Sequence, residues 1–170
     1  MKGRTISREA VRAIVLEGEQ VLMVYSPVNQ DYKFPGGGIK GGESHEEALH
    51  REIKEECGVH LSEVKAEFGF VEEYSSAREA EYDVFRQISY YYLCKVNRCF
   101  VGQSLDSYER ELGFRPEWVS VDYALRENRS VLNGDFDEVP KWTLRDTWVL
   151  NQIATERGLG RMEDLYLEHR

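Results

Sequence analysis

Three glutamates, Glu52, Glu55 and Glu56, are spaced so that a helix would bring their carboxylates together. Residues three and four apart lie on one face of an α-helix, where like charges repel by a few tenths of a kcal/mol per pair. The negative end of the helix dipole adds about 0.3 to 1 kcal/mol against each carboxylate in the last turn. A hard cation such as Mg²⁺ or Mn²⁺ would offset both costs, because such ions prefer oxygen ligands. The alternative is a solvated acidic surface, the common fate of a glutamate-rich helix.

The residues around these glutamates predict where the helix begins and ends. Ser44 and Glu47 form a capping-box pattern, and Gly58 can take the left-handed conformation that closes a helix. We therefore expect a helix from His45 to Cys57. Its buried stripe would consist of apolar residues repeated every four positions, Leu49, Ile53 and Cys57.

A run of glycines precedes the helix and would let the backbone approach a metal ion or a phosphate closely. Gly36, Gly37 and Gly38 follow Pro35, which biases Phe34 toward an extended conformation, and we expect the glycines to end this extended segment in a turn. A glycine run alone is compatible with an ordinary turn. Together with the acidic helix, it favours a metal site that a phosphate group could approach.

The segments on both sides of this unit predict the scaffold. Apolar and β-branched runs favour strands, the first two of them joined as a hairpin, at Val11–Leu16, Val21–Tyr25, Val64–Tyr74, Phe85–Val96 and Trp118–Val121. We expect further helices over Asp122–Asn128 and from Pro140, as the first helical residue, to about Gly158. This irregular mixture favours helices packed on a mixed β-sheet over a doubly wound parallel fold.

Length and charge restrict the class of protein. A chain of 170 residues predicts a single domain over residues 1–170. The net charge of −9 argues against binding to extended nucleic acid, which depends on cationic side chains. The chain has no apolar run long enough to span a membrane and no apolar secretory signal, so we expect a cytoplasmic protein without a membrane partner. Three cysteines without paired spacing are expected to be reduced, namely Cys57, Cys94 and Cys99.

The glycine run and the acidic helix together resemble the sequence motif of the Nudix family, G-x5-E-x7-R-E-U-x-E-E-x-G-U, in which U is a bulky apolar residue. The stretch from Gly37 to Val59 matches this motif at every specified position. The flanking strands also resemble the family's fold. The resemblance therefore implies a Nudix fold, an α+β or α/β arrangement with a mixed β-sheet sandwiched between helices, over about residues 5 to 157.

The resemblance also implies an enzyme that uses Mg²⁺, with Mn²⁺ as an alternative, to hydrolyse a nucleoside diphosphate linked to another group. The implied metal ligands are three carboxylates and one backbone carbonyl, from Glu52, Glu55, Glu56 and Gly36. Arg51 would hold the glutamates through a charge-assisted pair. Glu43 would support the loop and the surroundings of the metal.

The general base differs among Nudix enzymes, and the sequence leaves more than one candidate. We favour Glu52, which belongs to the motif. Glu111 is the preferred candidate outside it, and the alternatives are other acidic residues beyond the motif, Glu79, Glu81, Asp83 and Glu109. Each of these outside residues is also compatible with an ordinary surface charge.

The expected substrate is a small nucleotide or nucleoside diphosphate derivative. It would contact two glycines and three aromatic side chains, Gly37, Gly38, Tyr32, Phe34 and Tyr74. Tyr74 stands where ADP-ribose hydrolases of this family often carry proline, which argues against ADP-ribose. A nucleoside triphosphate, including an oxidised one, is the first expectation, and a nucleotide sugar or a dinucleotide is the alternative.

A protein of another class, a nucleotide-sensing Nudix-like module without turnover, is a further alternative. The intact set of three glutamates argues against it, because such a module is free to lose them. A homodimer remains open, since members of the family are often dimers.

Overall fold

A computed structural model describes residues 3–134, 139–155 and 167–168. The strands within these residues are β1 (Thr5–Glu17), β2 (Gln20–Ser26), β3 (Asp31–Lys33), β4 (Gly36–Gly38), β5 (His60–Ser76), β6 (Val84–Asn97), β7 (Arg115–Ser120) and β8 (Leu167–Glu168). The helices are α1 (His45–Cys57), α2 (Ser107–Glu111), α3 (Val121–Leu132) and α4 (Lys141–Ala154). None of these helices combines the length and the apolar character needed to cross a bilayer.

The strands form a mixed sheet in the order β3-β2-β1-β6-β5-β8, with β4 paired to β1 and β7 paired to β2. β1 runs parallel to β6 and β5 runs parallel to β8, whereas the other pairs are antiparallel. Gly18, with a φ of 58°, allows the tight turn between β1 and β2. The predicted hairpin and mixed sheet are therefore confirmed.

Helices cover both faces of this sheet. β1 supplies side chains to both cores because successive residues of a strand point to opposite faces, with Val11 on the α1 side and Ile14 on the α3 and α4 side. The α1 side is closed by Leu49 and Ile53, and the other side by Val149 and Leu150. Full burial of an aliphatic side chain of this size contributes about 1.5 to 3 kcal/mol. The predicted sandwich of a mixed sheet between helices is thus confirmed.

The predicted limits of α1 are confirmed. The Ser44 hydroxyl accepts from the Glu47 amide at 3.1 Å, and the Glu47 carboxylate accepts from the Ser44 amide at 2.8 Å. Gly58 closes the helix with a φ of 65°. The same two residues of the capping box therefore satisfy two backbone donors that the first turn leaves without helical partners.

The prediction for the last helix needs a correction. Pro140 is the N-cap of α4 and lies outside the helix, because its ψ of 141° is extended. The helix ends at Ala154, and Gly158 lies outside the described residues. α3 is also longer than predicted, since it continues from Asn128 to Leu132.

The glycine run forms a strand and not the predicted turn. β4 pairs with β1 through Gly37 and Val11. Gly36 has a φ of 149°, and an added Cβ there would overlap the Val11 carbonyl. Glycine is needed because two backbones approach closely, and this approach fixes the position of the Gly36 carbonyl next to α1.

Candidate metal and phosphate site

A cleft of about 1150 Å³ brings most of the predicted site residues together. Its lining includes the following members of the predicted set, Gly36, Gly37, Gly38, Arg51, Glu52, Glu55, Glu56 and Tyr74. It also contains positively charged side chains from β1 and α4, Arg8, Arg12, Lys141 and Arg145. The cleft is therefore lined both by carboxylates from α1 and by cations from two other elements.

Arg51 connects the carboxylates of α1 to β4 (Gly36–Gly38), which is called the glycine strand below. Its guanidinium donates to Glu52 Oε1 at 2.7 Å, to Glu55 Oε2 at 3.4 Å and to the Gly38 carbonyl at 3.0 Å. It also binds both oxygens of Glu43, at 2.5 and 2.9 Å. Arg51 lowers the pKa of the Glu43 carboxyl to about 2, because the hydrogen bond favours the ionised form. These contacts join Arg51 to Glu43, Glu52 and Glu55, and its role in holding the glutamates for a metal stays a prediction.

Glu56 is held by a different cation. Its side chain is almost wholly buried, and both of its carboxylate oxygens accept from Lys33 Nζ at 3.0 Å. The same ammonium lies 3.4 Å from the Gly36 carbonyl oxygen. Burial raises the pKa of the Glu56 carboxyl to about 7, and the charge of Lys33 acts against that rise. Lys33 therefore joins two of the expected metal ligands.

A second cation bonds to the same carbonyl. Arg12 Nη1 donates to Gly36 O at 3.0 Å, and the Arg12 side chain is buried under the glycine strand. Burial lowers the pKa of Arg12, with a further contribution from the neighbouring Arg145. The Gly36 carbonyl thus points to a place where two positive groups already meet.

Across residues 3–134, 139–155 and 167–168, no three acidic, histidine or cysteine side chains are grouped closely enough to hold a metal as they stand. In this arrangement Arg51 binds Glu52 and Glu55, while Lys33 binds Glu56. The donors nevertheless fit a hard divalent cation, because they are carboxylate and carbonyl oxygens. Gly37 has no side chain to crowd these donors. Any other residue there would place its Cβ about 2.5 Å from Glu52 Oε1, which is too close.

The loop after β6 supports the last turn of α1. The Ser104 amide donates to the Glu55 carbonyl at 2.8 Å, and Gln103 Nε2 donates to the Glu56 carbonyl at 2.6 Å. These are carbonyls that the end of a helix leaves without intrahelical partners. Their satisfaction fixes the turn that carries two of the site glutamates.

A buried network places the segment between β3 and β4. Asp146 accepts from the Phe34 amide at 2.9 Å, from Tyr91 Oη at 2.5 Å and from Arg145 Nε at 3.0 Å. Burial alone would raise the pKa of Asp146, but Arg145 and Arg12 lower it below its usual value. α4 therefore fixes the backbone immediately before the Gly36 carbonyl.

Two predicted substrate-binding rings belong to the hydrophobic core. Phe34 is fully buried with its ring 5.6 Å from that of Tyr91, and Tyr32 is packed between Tyr25 and Tyr123. Neither ring lines the cleft. We therefore remove Tyr32 and Phe34 from the proposed substrate contacts, since their faces are occupied by core neighbours. Tyr74 does line the cleft.

The preferred outside base also needs a correction. Glu111 ends α2 with an exposed side chain and does not line the cleft. Glu109 does line it, because it lies on the side of α2 that faces Lys33 and Glu52. Burial raises the pKa of the Glu109 carboxyl, and Glu52 adds to that rise. Glu109 therefore replaces Glu111 as the outside candidate.

Sequence reasoning missed Lys33 and Arg12. Arg12 stands between Val11 and Ala13 in an apolar strand, and Lys33 stands between the buried rings of Tyr32 and Phe34. A charged residue inside a buried strand needs a partner, which was the available indication. The identity of the partner depends on a contact between segments that are distant in the sequence.

A family model for the NUDIX domain matches residues 6–142. Over 67 residues, the chain is 45% identical to an RNA pyrophosphohydrolase of a Nitratiruptor species, a match that covers 36% of this chain and 43% of that protein. Over 39 residues, it is 54% identical to an RNA pyrophosphohydrolase of Ectopseudomonas mendocina, with 22% and 24% covered. The matches thus span less than half the length of these relatives.

Solved structures share the fold. The ORF135 protein of E. coli superposes with a TM-score of 0.56 at 19% identity, over 94% of this chain and 96% of that one. A MutT NUDIX hydrolase from Burkholderia pseudomallei superposes with a TM-score of 0.56 at 17% identity, over 87% and 98%. A mutator MutT protein from Bacillus halodurans gives a TM-score of 0.53 at 18% identity, over 94% and 86%. At these identities the likeness concerns the fold alone.

Proposed function

This chain belongs to the Nudix family, and from that premise we propose that it is a divalent-metal-dependent pyrophosphohydrolase of nucleotides. The observation that carries the proposal is the approach of the Gly36 carbonyl and the Glu56 carboxylate, which share one buried cation at 3.4 and 3.0 Å. A backbone carbonyl and a buried carboxylate that converge on one positive charge are suited to a hard divalent cation. Gly36 and Glu56 line a cleft that has space for a substrate.

The residues proposed to hold Mg²⁺, or Mn²⁺ in its place, are Glu52, Glu55, Glu56 and Gly36 through its carbonyl. When bound, the ion would neutralise charge on the diphosphate and make an attacking water molecule more acidic. Arg51 holds the Glu52 and Glu55 carboxylates in orientation by the hydrogen bonds described above. Glu43 in turn orients Arg51, because two oxygens bind its guanidinium.

We propose Glu52 as the general base that removes the proton from the attacking water. Its Oε1 is fixed by Arg51 at 2.7 Å, which sets the direction of the carboxylate. Glu109 is the second candidate, since it lines the cleft and burial raises the pKa of its carboxyl.

The remainder of the substrate would extend from the glycine strand toward β1 and α4. Arg8 and Lys141, which line the cleft there, are suited to the charge of a polyphosphate, whereas Arg12 and Arg145 are buried and bonded within the protein. Tyr74 lines the same cleft. These features favour a nucleoside triphosphate, including an oxidised one, over a nucleotide whose diphosphate is linked to an uncharged sugar. Nucleotide sugars and dinucleotides are the alternative.

The names of the partial relatives suggest a further candidate substrate, the 5′-phosphorylated end of an RNA. The net charge of −9 disfavours contacts with a long phosphate backbone. A short 5′-triphosphorylated oligonucleotide therefore belongs in the substrate panel as a comparison.

The proposal is tested by incubating the protein with nucleoside triphosphates, nucleotide sugars, dinucleotides and the oligonucleotide, and following the products by ³¹P NMR. We expect Mg²⁺-dependent turnover of at least one substrate and none in EDTA. Tight binding of a nucleotide without turnover of any substrate would instead support a nucleotide-sensing module.

A further inference from the structure

Lys33 occupies a position that the proposed metal would need. Its ammonium lies 3.0 Å from each Glu56 carboxylate oxygen and 3.4 Å from the Gly36 carbonyl oxygen. The side chains of Lys33 and Glu56 are only 8% and 3% exposed. The backbone of Lys33 is fixed by its pairing with Val24 in β2. The contact is therefore an internal ion pair and not a mobile surface lysine.

The ammonium and a divalent cation would compete for the same oxygens. Mg²⁺ binds oxygen ligands at about 2.0 to 2.1 Å, so an ion on Glu56 and Gly36 would lie within a few ångströms of Lys33 Nζ. Positive charges at that separation repel strongly in a buried site. Burial of a carboxylate without any cation costs free energy, and the Lys33 ammonium offsets this cost when no metal is bound.

In its present position the ammonium also lies over an aromatic ring. The ring centroid of Phe114 lies 5.2 Å from Lys33 Nζ, and Phe114 lines the same cleft. An ammonium over an aromatic face is attracted to the ring. Arg12, by contrast, bonds Gly36 O but has no hydrogen bond to Glu56 among the described contacts, and its guanidinium is buried under the glycine strand. Lys33 is therefore the cation that contacts both proposed ligands, Glu56 and Gly36.

We propose that Lys33 is a positioning residue that acts as an exchangeable internal cation, holding Glu56 and Gly36 together until a divalent ion displaces its ammonium. The proposal rests on the proposed function, because it takes Glu56 and Gly36 as metal ligands. It adds that metal binding is opposed by a charge built into the site. Removal of that charge should strengthen metal binding and should lower the stability of the metal-free protein.

The test is a titration of the EDTA-treated protein with Mn²⁺, with free Mn²⁺ followed by electron paramagnetic resonance. Lys33→Met should bind Mn²⁺ about tenfold more tightly than the wild type, because the competing charge is gone. Lys40→Met is the matched control, since Lys40 also lines the cleft but its side chain has no described contact with Glu56. The control should change the affinity by less than about twofold.

Unchanged or weaker Mn²⁺ binding in Lys33→Met would overturn the proposal, and so would an equal gain in Lys40→Met. A merely structural lysine would not produce tighter binding when it is removed. Lys33→Gln is the second variant, because it keeps a polar group and should also bind Mn²⁺ more tightly than the wild type. If Lys33→Met folds only with metal, the affinity in Lys33→Gln decides the outcome.

A thermal unfolding experiment gives an independent measurement. Lys33→Met should melt at a lower temperature than the wild type in EDTA, and Mn²⁺ should raise its melting temperature by more than it raises that of the wild type. An equal rise in both proteins would contradict the proposal. If wild-type protein binds no Mn²⁺, or Glu56→Gln binds it as well as wild type, the proposed metal site itself is wrong. If Glu56→Gln weakens binding but Lys33→Met does not strengthen it, only the inference about Lys33 fails.

Discussion

The carboxylates at the end of α1 and the carboxylate of Asp146 on α4 are held in opposite ways. Glu52 and Glu55 face the cleft and share the single guanidinium of Arg51. Asp146 is wholly buried, and its two oxygens accept from the Phe34 amide, Tyr91 and Arg145. The first group faces space that a ligand can enter, and the second already has its hydrogen bonds filled.

This difference indicates that the α1 carboxylates serve the chemistry and that the Asp146 network positions the backbone. The Asp146 network joins α4 to a residue 112 positions away, the one that precedes Pro35 and the Gly36 strand. The α1 carboxylates are grouped by helix spacing, are oriented by Arg51 and Lys33, and carry a repulsion that these cations relieve. We therefore expect changes in the Asp146 network to affect folding first, and changes in the α1 carboxylates to affect activity first.

The largest effect is expected for Asp146→Ala. It would leave Arg145 with one fewer buried partner and the Phe34 amide without its acceptor, so the free energy of unfolding should fall by about 3 to 5 kcal/mol. Urea denaturation measures this loss. Asp122→Ala, at an exposed position in the first turn of α3, should lower the free energy of unfolding by less than about 1 kcal/mol, since it loses only a favourable interaction with the helix dipole. A loss below about 1 kcal/mol in Asp146→Ala would break the distinction between the two regions.

The second prediction concerns the general base, and its expected effect, expressed as a free energy, is smaller. Glu52→Gln should lower kcat about 100-fold, because it removes the group proposed to accept the proton. Glu109→Gln should lower kcat less than about fivefold, since Glu109 would then contribute only charge to the cleft. Steady-state kinetics with the best substrate compares the two. A larger loss in Glu109→Gln would move the base from α1 to α2.

The smallest effect concerns the dependence of stability on pH. The pKa of Glu43 is lowered to about 2 by Arg51, so its contribution to stability is present above its ordinary pKa of 4.5 and is lost as the pH falls toward 2. The wild type should therefore lose more stability between pH 4.5 and 2 than Glu43→Gln. Denaturation curves across that range measure the difference. Identical pH profiles would show that the Arg51 contact does not favour the ionised form.

The parts of the fold with local causes could be predicted from the sequence. Ser44 and Glu47 specify the start of α1, and Gly58 specifies its end, because capping involves neighbouring residues. The mixed sheet followed from the pattern of apolar segments. The glycine run was interpreted as a turn because the close approach of β1, which makes it a strand, depends on long-range pairing.

The site could be predicted only where its residues share an element. The spacing of Glu52, Glu55 and Glu56 placed them on one helix, and the structure brings them to one cleft. Lys33 could not be assigned to Glu56, since these residues meet through tertiary contact. Glu109 and Glu111 could not be distinguished either, because which side of α2 faces the cleft depends on packing.

The central claim is that the acidic edge of α1 binds a divalent ion for phosphoanhydride hydrolysis. The most direct measurement compares Mg²⁺-dependent turnover in wild type, Glu56→Gln and the matched control Glu111→Gln, which is exposed on α2 outside the cleft. We expect a loss of more than about tenfold in Glu56→Gln, or at least about 1.4 kcal/mol, and less than about twofold in Glu111→Gln. Full activity in Glu56→Gln would contradict the claim.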